Sequence, residues 1–301
     1  MSQTTRIFVL RGTWLKPLVV LAGAFWMQGL GFACAQTVQP QNWKLVWSDE
    51  FNGAAKSAPD SKVWTYDKGA GGWGNGELET YCEPSSDAAP CKTAHPNIYE
   101  DGNGHLVIQA IRGEDGTWTS GRLKTDGKKT FDYGRIEARM RFPVGAGFWP
   151  AFWMLGDTVS SAGWPTAGEQ DIMEWVQSYG SSTTSSTVHG PGYSGAQGIG
   201  KHFLFPAGQR VDTAFHTYGV IWEKDRLQFY RDNPSRPFFT LTPADLPKGT
   251  AWVYNHPYFL LLNFAIGGGG FAGTTNATTP STGKVLVDYV RVYRASPATA
   301  P

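Results

Sequence analysis

Polar and apolar residues alternate along much of this chain with a period of two. Gly104 to Ala110, Phe131 to Phe142 and Lys284 to Tyr293 all follow this pattern. Successive side chains on a strand point to opposite faces, so each segment predicts a strand with one buried and one wet face. Trp43 to Gly53 reads as a first strand ending in a turn, and Thr119 to Thr125 follows a polar turn. Phe215 to Glu223 and Leu227 to Asn233 read as a hairpin around Lys224-Asp225-Arg226. Thr183 to Gly190 is a Ser/Thr-rich strand, and Pro191 to Gly200 a glycine-rich loop. Pro257 to Ile266 is almost wholly apolar and runs into four glycines, which predicts a buried strand. Trp149 and Trp153 are four apart. A strand or a helix would put them on one face, and Gly147 and Pro150 weigh against the helix. Many short strands, turn residues between them and few helical patterns predict an all-β protein built as a β-sandwich.

Composition supports that reading. The 301 residues include 37 glycines and 42 aromatic side chains (13 Trp, 12 Tyr, 17 Phe), enough for a turn-rich fold and an aromatic binding cleft. A net charge of +1 offers nothing to a nucleic-acid partner. Arg6, Arg11 and Lys16 precede the uncharged run Pro17 to Phe32, which Ala33-Cys34-Ala35 closes. This arrangement predicts a secretory signal peptide over residues 1–35, with an uncleaved anchor as the alternative. Its removal takes three positive charges and leaves a mature chain near −2. One catalytic domain over 36–295 and a short disordered tail over 296–301 complete the expected organisation. Cys82 and Cys91 then remain, and in an oxidising compartment they can pair. A metal site there would have only His95 as a further ligand.

The candidate chemistry lies in Gly168-Glu169-Gln170-Asp171-Ile172-Met173-Glu174-Trp175, where three carboxyls fall within six residues of an otherwise apolar stretch. On a strand Glu169 and Asp171 share a face, whereas Glu174 falls on the other. One extra residue at or near Met173, a β-bulge, would reverse the phase and place all three together. A solvated polar face is the alternative, but such faces are usually Thr, Lys and Ser. Two carboxyls across a cleft are what glycoside hydrolysis needs.

That stretch resembles the E-x-D-x-x-E motif of glycoside hydrolase family 16, in the bulged form of its laminarinase-like endo-β-1,3-glucanases. The resemblance extends over residues 43–294 through W-S-D-E-F-N-G, G-W-G-N-G-E-L-E-T-Y, the segment from Gly145 to Leu155, T-V-H-G and the closing strand. It implies a β-jelly-roll sandwich of two curved antiparallel sheets with an open concave cleft. It implies a retaining endo-glycosidase with Glu169 as nucleophile, Glu174 as acid/base and Asp171 assisting. Asn75, Arg122, Trp149 and Trp153 would bind sugar, with His189 on the leaving-group side near Glu174. For the glycine-rich segment around Asn75, a plain surface loop closed by the cysteine bridge is the alternative.

The implied substrate is a β-1,3- or β-1,3/1,4-glucan such as laminarin. An agar- or carrageenan-type galactan, transglycosylation and non-catalytic glucan binding are the alternatives. Catalysis would need no cofactor. A structural calcium ion would be held by Glu50 and Asp288, plus backbone carbonyls. The protein would act as a secreted monomer, extracellular or periplasmic. Gln170 departs from the family, which usually has an aliphatic residue there. Alternation points it into the sandwich, where its amide would need a polar partner.

Overall fold

The computed structural model describes residues 42–296. The leader expected over 1–35 and all but the first residue of the expected tail lie outside them. No helix among the described residues is long and apolar enough to cross a membrane.

In chain order the strands are β1 (Trp43–Asp49), β2 (Thr65–Tyr66), β3 (Glu79–Tyr81), β4 (Ile98–Glu100), β5 (Leu106–Arg112), β6 (Trp118–Ser120), β7 (Arg122–Lys124) and β8 (Gly134–Arg141). They continue as β9 (Phe148–Gly156), β10 (Glu169–Glu174), β11 (Thr183–His189), β12 (Ile199–Leu204), β13 (His216–Glu223), β14 (Arg226–Arg231), β15 (Phe239–Leu241), β16 (Tyr258–Ile266) and β17 (Thr282–Ala295). Two sheets form. One has ten strands along the path β15-β14-β13-β8-β17-β5-β6-β3, with β1 on β17 and β4 on β5. The other has seven, in the order β12-β11-β10-β9-β16-β7-β2. This is a jelly-roll sandwich, as the strand pattern and the resemblance imply.

The pairing is antiparallel except between β3 and β6. Those two are joined by a long excursion rather than a tight hairpin, which makes a parallel pair geometrically accessible. Cys82 and Cys91 form a disulfide within that excursion, with Cα atoms 5.6 Å apart.

The core lies between the sheets. From the seven-stranded sheet it receives Leu123, Phe148, Phe152, Met154, Leu260 and Leu262. Their sequence neighbours Arg122, Trp149, Trp153, Leu261 and Asn263 therefore face the other way, and that outward face carries the cleft. Several short strands escaped the sequence reading, among them β2, β4, β12 and β15. The turn residues around β4 and β15 mask strands only three residues long. Polar Lys201 and His202 in edge strand β12 make Ile199–Leu204 look like the end of a loop.

Candidate active site

The catalytic-strand pattern resolves into a bulge. Asp171 pairs with Trp153 on β9, but the next pairs are Met173 with Phe152 and Glu174 with Ala151. On the other side Asp171 pairs with Thr187 and Glu174 with Ser185. Two residues of β10, Ile172 and Met173, thus occupy one step of each neighbour, and both are fully buried in the core. The phase reverses there, so Glu174 joins Glu169 and Asp171 on the cleft face. Gly168 feeds the strand at φ +73, and a Cβ there would sit 2.1 Å from the Tyr258 hydroxyl, so only glycine fits.

Each carboxyl has named neighbours. Glu169 Oε2 accepts the indole N–H of Trp164 at 2.8 Å. Glu174 Oε1 accepts from Trp149 Nε1 at 3.1 Å, and Thr187 Oγ1 donates to Glu174 Oε2 at 3.4 Å. Asp171 lies between them, 4% exposed, with His189 Nε2 3.2 Å from its Oδ2. Burial is the main force on all three. It pushes Glu169 up to about 8, with repulsion from Asp171 adding to it and His189 and Trp164 opposing. It raises Glu174 to about 7, opposed by His189, Trp149 and Thr187. Asp171 is raised well above the usual range, again by burial first and then by Glu174. Three anions cannot share this space. The cluster keeps protons at neutral pH and titrates as one unit, so the order of these values does not by itself assign acid and nucleophile.

His189 is not where the resemblance implies. It pairs with Glu169 across the ladder, 3.9 Å from Glu169 Oε1, and contacts Asp171 rather than Glu174. The direct neighbours of Glu174 on β11 are Ser185 and Thr187, because the register pairs it with Ser185, four residues from the histidine. Gly198 makes room for the imidazole, since a Cβ there would lie 2.4 Å from its Cε1.

The residues expected to bind sugar separate into two groups. Trp149 and Trp153 share the cleft face of β9, and Trp153 Nε1 donates to Asn263 Oδ1 at 2.8 Å. Across the sheet a single row runs Ser185, Glu174, Ala151, Asn263, Arg122. Arg122 is thus three strand spacings from Glu174, each about 4.8 Å. It is almost wholly buried. Its Nη2 donates to both oxygens of Glu77 at 3.1 and 2.9 Å and to Tyr81 Oη at 3.0 Å, and it stacks over the Tyr81 and Trp73 rings. Asn75 Nδ2 reaches the same Glu77 at 3.0 Å. Glu77 therefore links Asn75 and Arg122, which makes the glycine-rich segment part of the cleft.

On the far side of Glu174 lies a cavity of about 460 Å³ between Tyr179, Thr187, His202 and Phe271. Phe271 meets Trp149 edge-on at 5.0 Å. Trp164, Glu77, Asn263, Thr187 and Phe271 were not singled out from the sequence. Asn263 had a signal: a lone amide in a nine-residue apolar run, all of it buried.

Glu50 and Asp288 do not fit a calcium site. Both Glu50 oxygens accept from the Arg291 guanidinium, at 2.9 and 2.8 Å, and this pairing lowers the Glu50 pKa. Asp288 is paired with Arg139. Each carboxylate already has its cation, where calcium would need six to eight oxygen ligands. Among the described residues, only Glu169, Asp171 and His189 bring three ligand atoms within 4.8 Å of one another, and all three belong to the cleft just described. The expected polar partner for Gln170 is also missing: the residue is fully buried, and neither amide atom has a hydrogen-bond partner.

A sandwich with an open cleft, a trio of buried carboxyls and aromatic side chains around them defines a glycoside hydrolase working through paired carboxyls. The profile of glycosyl hydrolases family 16 matches residues 85–291, and the chain belongs to that family. It is 37% identical over 263 residues to a β-glucanase of Rhodothermus marinus, covering 84% of this chain and 86% of that one. It also resembles the catalytic domain of an endo-1,3-β-glucanase (laminarinase) from Thermotoga petrophila. There the TM-score is 0.75 and the identity 37%, over 85% of this chain and all of that domain. The endo-β-1,3-glucanase of Pyrococcus furiosus gives a TM-score of 0.75 at 39% identity, over 86% of this chain and 97% of the other.

Proposed function

We propose that the protein is a secreted, monomeric, retaining endo-β-1,3-glucanase that cuts internal linkages of laminarin-type glucans, including mixed β-1,3/1,4 chains. The observation that carries this reading is the bulge at Ile172–Met173, which sets Glu174 on one face with Glu169 and Asp171. The relatives named as endo-β-1,3-glucanases support the substrate. The disulfide supports an oxidising compartment.

In the first step a Glu169 oxygen attacks the anomeric carbon while the bond to the leaving oxygen breaks. Glu174 gives its proton to that oxygen, and the sugar is left as an ester of Glu169. In the second step Glu174 takes a proton from water, the water oxygen attacks the same carbon, and Glu169 is released. Two inversions return the β-configuration. In this reading Glu174 holds the cluster's proton for the first step, and the indole N–H of Trp164 favours the charged form of Glu169. Asp171 supplies the repulsion that keeps a proton in the cluster and, with His189, orients the nucleophile. The chemistry uses side-chain carboxyls alone. An open cleft with sugar-binding groups on both sides of Glu174 suits attack within a long chain.

The test is reducing-sugar release from β-1,3-glucan, mixed-linkage β-glucan, cellulose, agarose and carrageenan, with the anomer followed by NMR. Cleavage of β-1,3-glucan with the β-anomer appearing first is the expected result. Cleavage of a galactan alone, or binding without cleavage, would overturn the substrate or the activity.

A further inference from the structure

We propose that Ser186, held in place by Arg231, is a positioning residue that aims Glu174. The inference rests on reading Glu174 as the acid/base, and adds the device that fixes its direction.

The ladder pairs Asp171 with Thr187 and Glu174 with Ser185. Ser186 is therefore the single β11 residue opposite the two-residue bulge. A bulge frees backbone groups from the ladder, and in a buried strand they need other partners. The Ser186 hydroxyl donates to the Ile172 carbonyl at 2.6 Å. Both residues are fully buried. The extra residue is thus pinned where the phase of β10 reverses.

Arg231 locks this contact from the opposite sheet. Its Nη2 donates to Ser186 Oγ at 3.0 Å and to the Ser185 carbonyl at 2.8 Å, while Nε donates to Thr184 Oγ1 at 3.0 Å. Arg231 is 3% exposed, its guanidinium lies against the rings of Tyr218 and Phe238, and Asp232 is a carboxylate that acts on it electrostatically. A buried cation is costly unless its donors are satisfied. Here Nη1 donates to the Tyr230 carbonyl at 3.0 Å, while Nε and Nη2 serve three consecutive residues of β11, Thr184 to Ser186, beside the bulge. Ser185 is the cross-strand partner of Glu174, so Arg231 fixes the backbone on the side where the acid/base stands. A one-residue slip of the bulge would turn Glu174 into the core. Neither Ser186 nor Arg231 faces the cleft, so both act only through the strand.

The experiment compares two substrates. Cleavage of β-1,3-glucan needs a proton delivered to a sugar oxygen. Departure of dinitrophenolate from a dinitrophenyl β-laminaribioside does not. With Ser186→Ala, turnover of the polymer is expected to fall roughly tenfold or more, since misplaced catalytic groups cost that much. Glycosylation by the aryl substrate should stay within about twofold of wild type. Ser186→Thr, which keeps the hydroxyl, should restore polymer cleavage, and Arg231→Met should reproduce the Ser186→Ala pattern. Equal losses on both substrates would mean a merely structural role and overturn the inference, as would no loss on either. Glu174→Gln is the control. If it treats the two substrates alike, the assignment of Glu174 fails. If it separates them and Ser186→Ala does not, only the positioning role fails.

Discussion

The indole N–H of Trp164 donates to Glu169 Oε2 at 2.8 Å, from a half-exposed side chain on the loop ahead of β10. This hydrogen bond favours the charged form of Glu169 and lowers its pKa against the effect of burial. Trp164→Phe keeps the ring and removes the donor, so the Glu169 pKa should rise. The nucleophile must be ionised, so activity is lost as pH falls through that pKa. The acidic limb of kcat/KM should therefore move to higher pH, with kcat lowered roughly tenfold. An unmoved limb, or one displaced to lower pH, would contradict the role given to the indole.

Trp164 was not legible in the sequence, whereas Glu169, Asp171 and Glu174 were, and the contrast is physical. Strand alternation and one inserted residue are local rules, so the shared face of the three carboxyls follows from their spacing. The reach of a loop tryptophan back over the next strand is not local, and Trp164-Pro165 reads only as a connection. His189 shows the same limit. Its place on the neighbouring strand was legible, but its partner depends on the pairing register, which faces it with Glu169. Glu77 was hidden among glycines, and its value emerges only when the fold brings Arg122, 45 residues away, against it. The long strands β8, β13, β16 and β17 were legible because hydrophobic patterning accumulates over eight residues or more. The three-residue strands β4 and β15 carry too little pattern to stand out.

The carboxyl cluster should cost stability at neutral pH. Folding raises Glu169 to about 8 and Glu174 to about 7, from 4.5. Between the unfolded and folded values the native state holds more protons, so this contribution is full below about 4.5 and is lost as pH rises through 7 to 8. Glu169→Gln removes one such group. Denaturant midpoints should show the variant gaining on wild type as pH rises from 5 to 8. A difference that is constant with pH, or that shrinks, would contradict the raised value.

Gln170 is buried with both amide atoms unpartnered, on the face of β10 turned away from the cleft. Replacement by Leu removes an unpaired polar group and should stabilise the fold by about 1 kcal/mol. The melting midpoint should rise by about 2–4 °C, with kcat unchanged. A lower midpoint would show that the amide has a partner.

Glu50 and Asp288 are neutralised by Arg291 and Arg139, which leaves calcium no role at that place. The melting temperature should be the same in excess chelator and in millimolar calcium. A midpoint raised by calcium and abolished by Glu50→Gln would restore the cation site.

The most direct test of the two-step mechanism is to trap its intermediate. A 2-deoxy-2-fluoro β-laminaribiosyl fluoride should inactivate the protein by forming an ester, because the 2-fluorine slows both steps while the good fluoride leaving group keeps the first fast enough for the ester to accumulate. Digestion and mass spectrometry should place the sugar on Glu169 within Gly168-Glu169-Gln170-Asp171. An adduct on Asp171 or Glu174, or turnover by inversion with no adduct, would contradict the account.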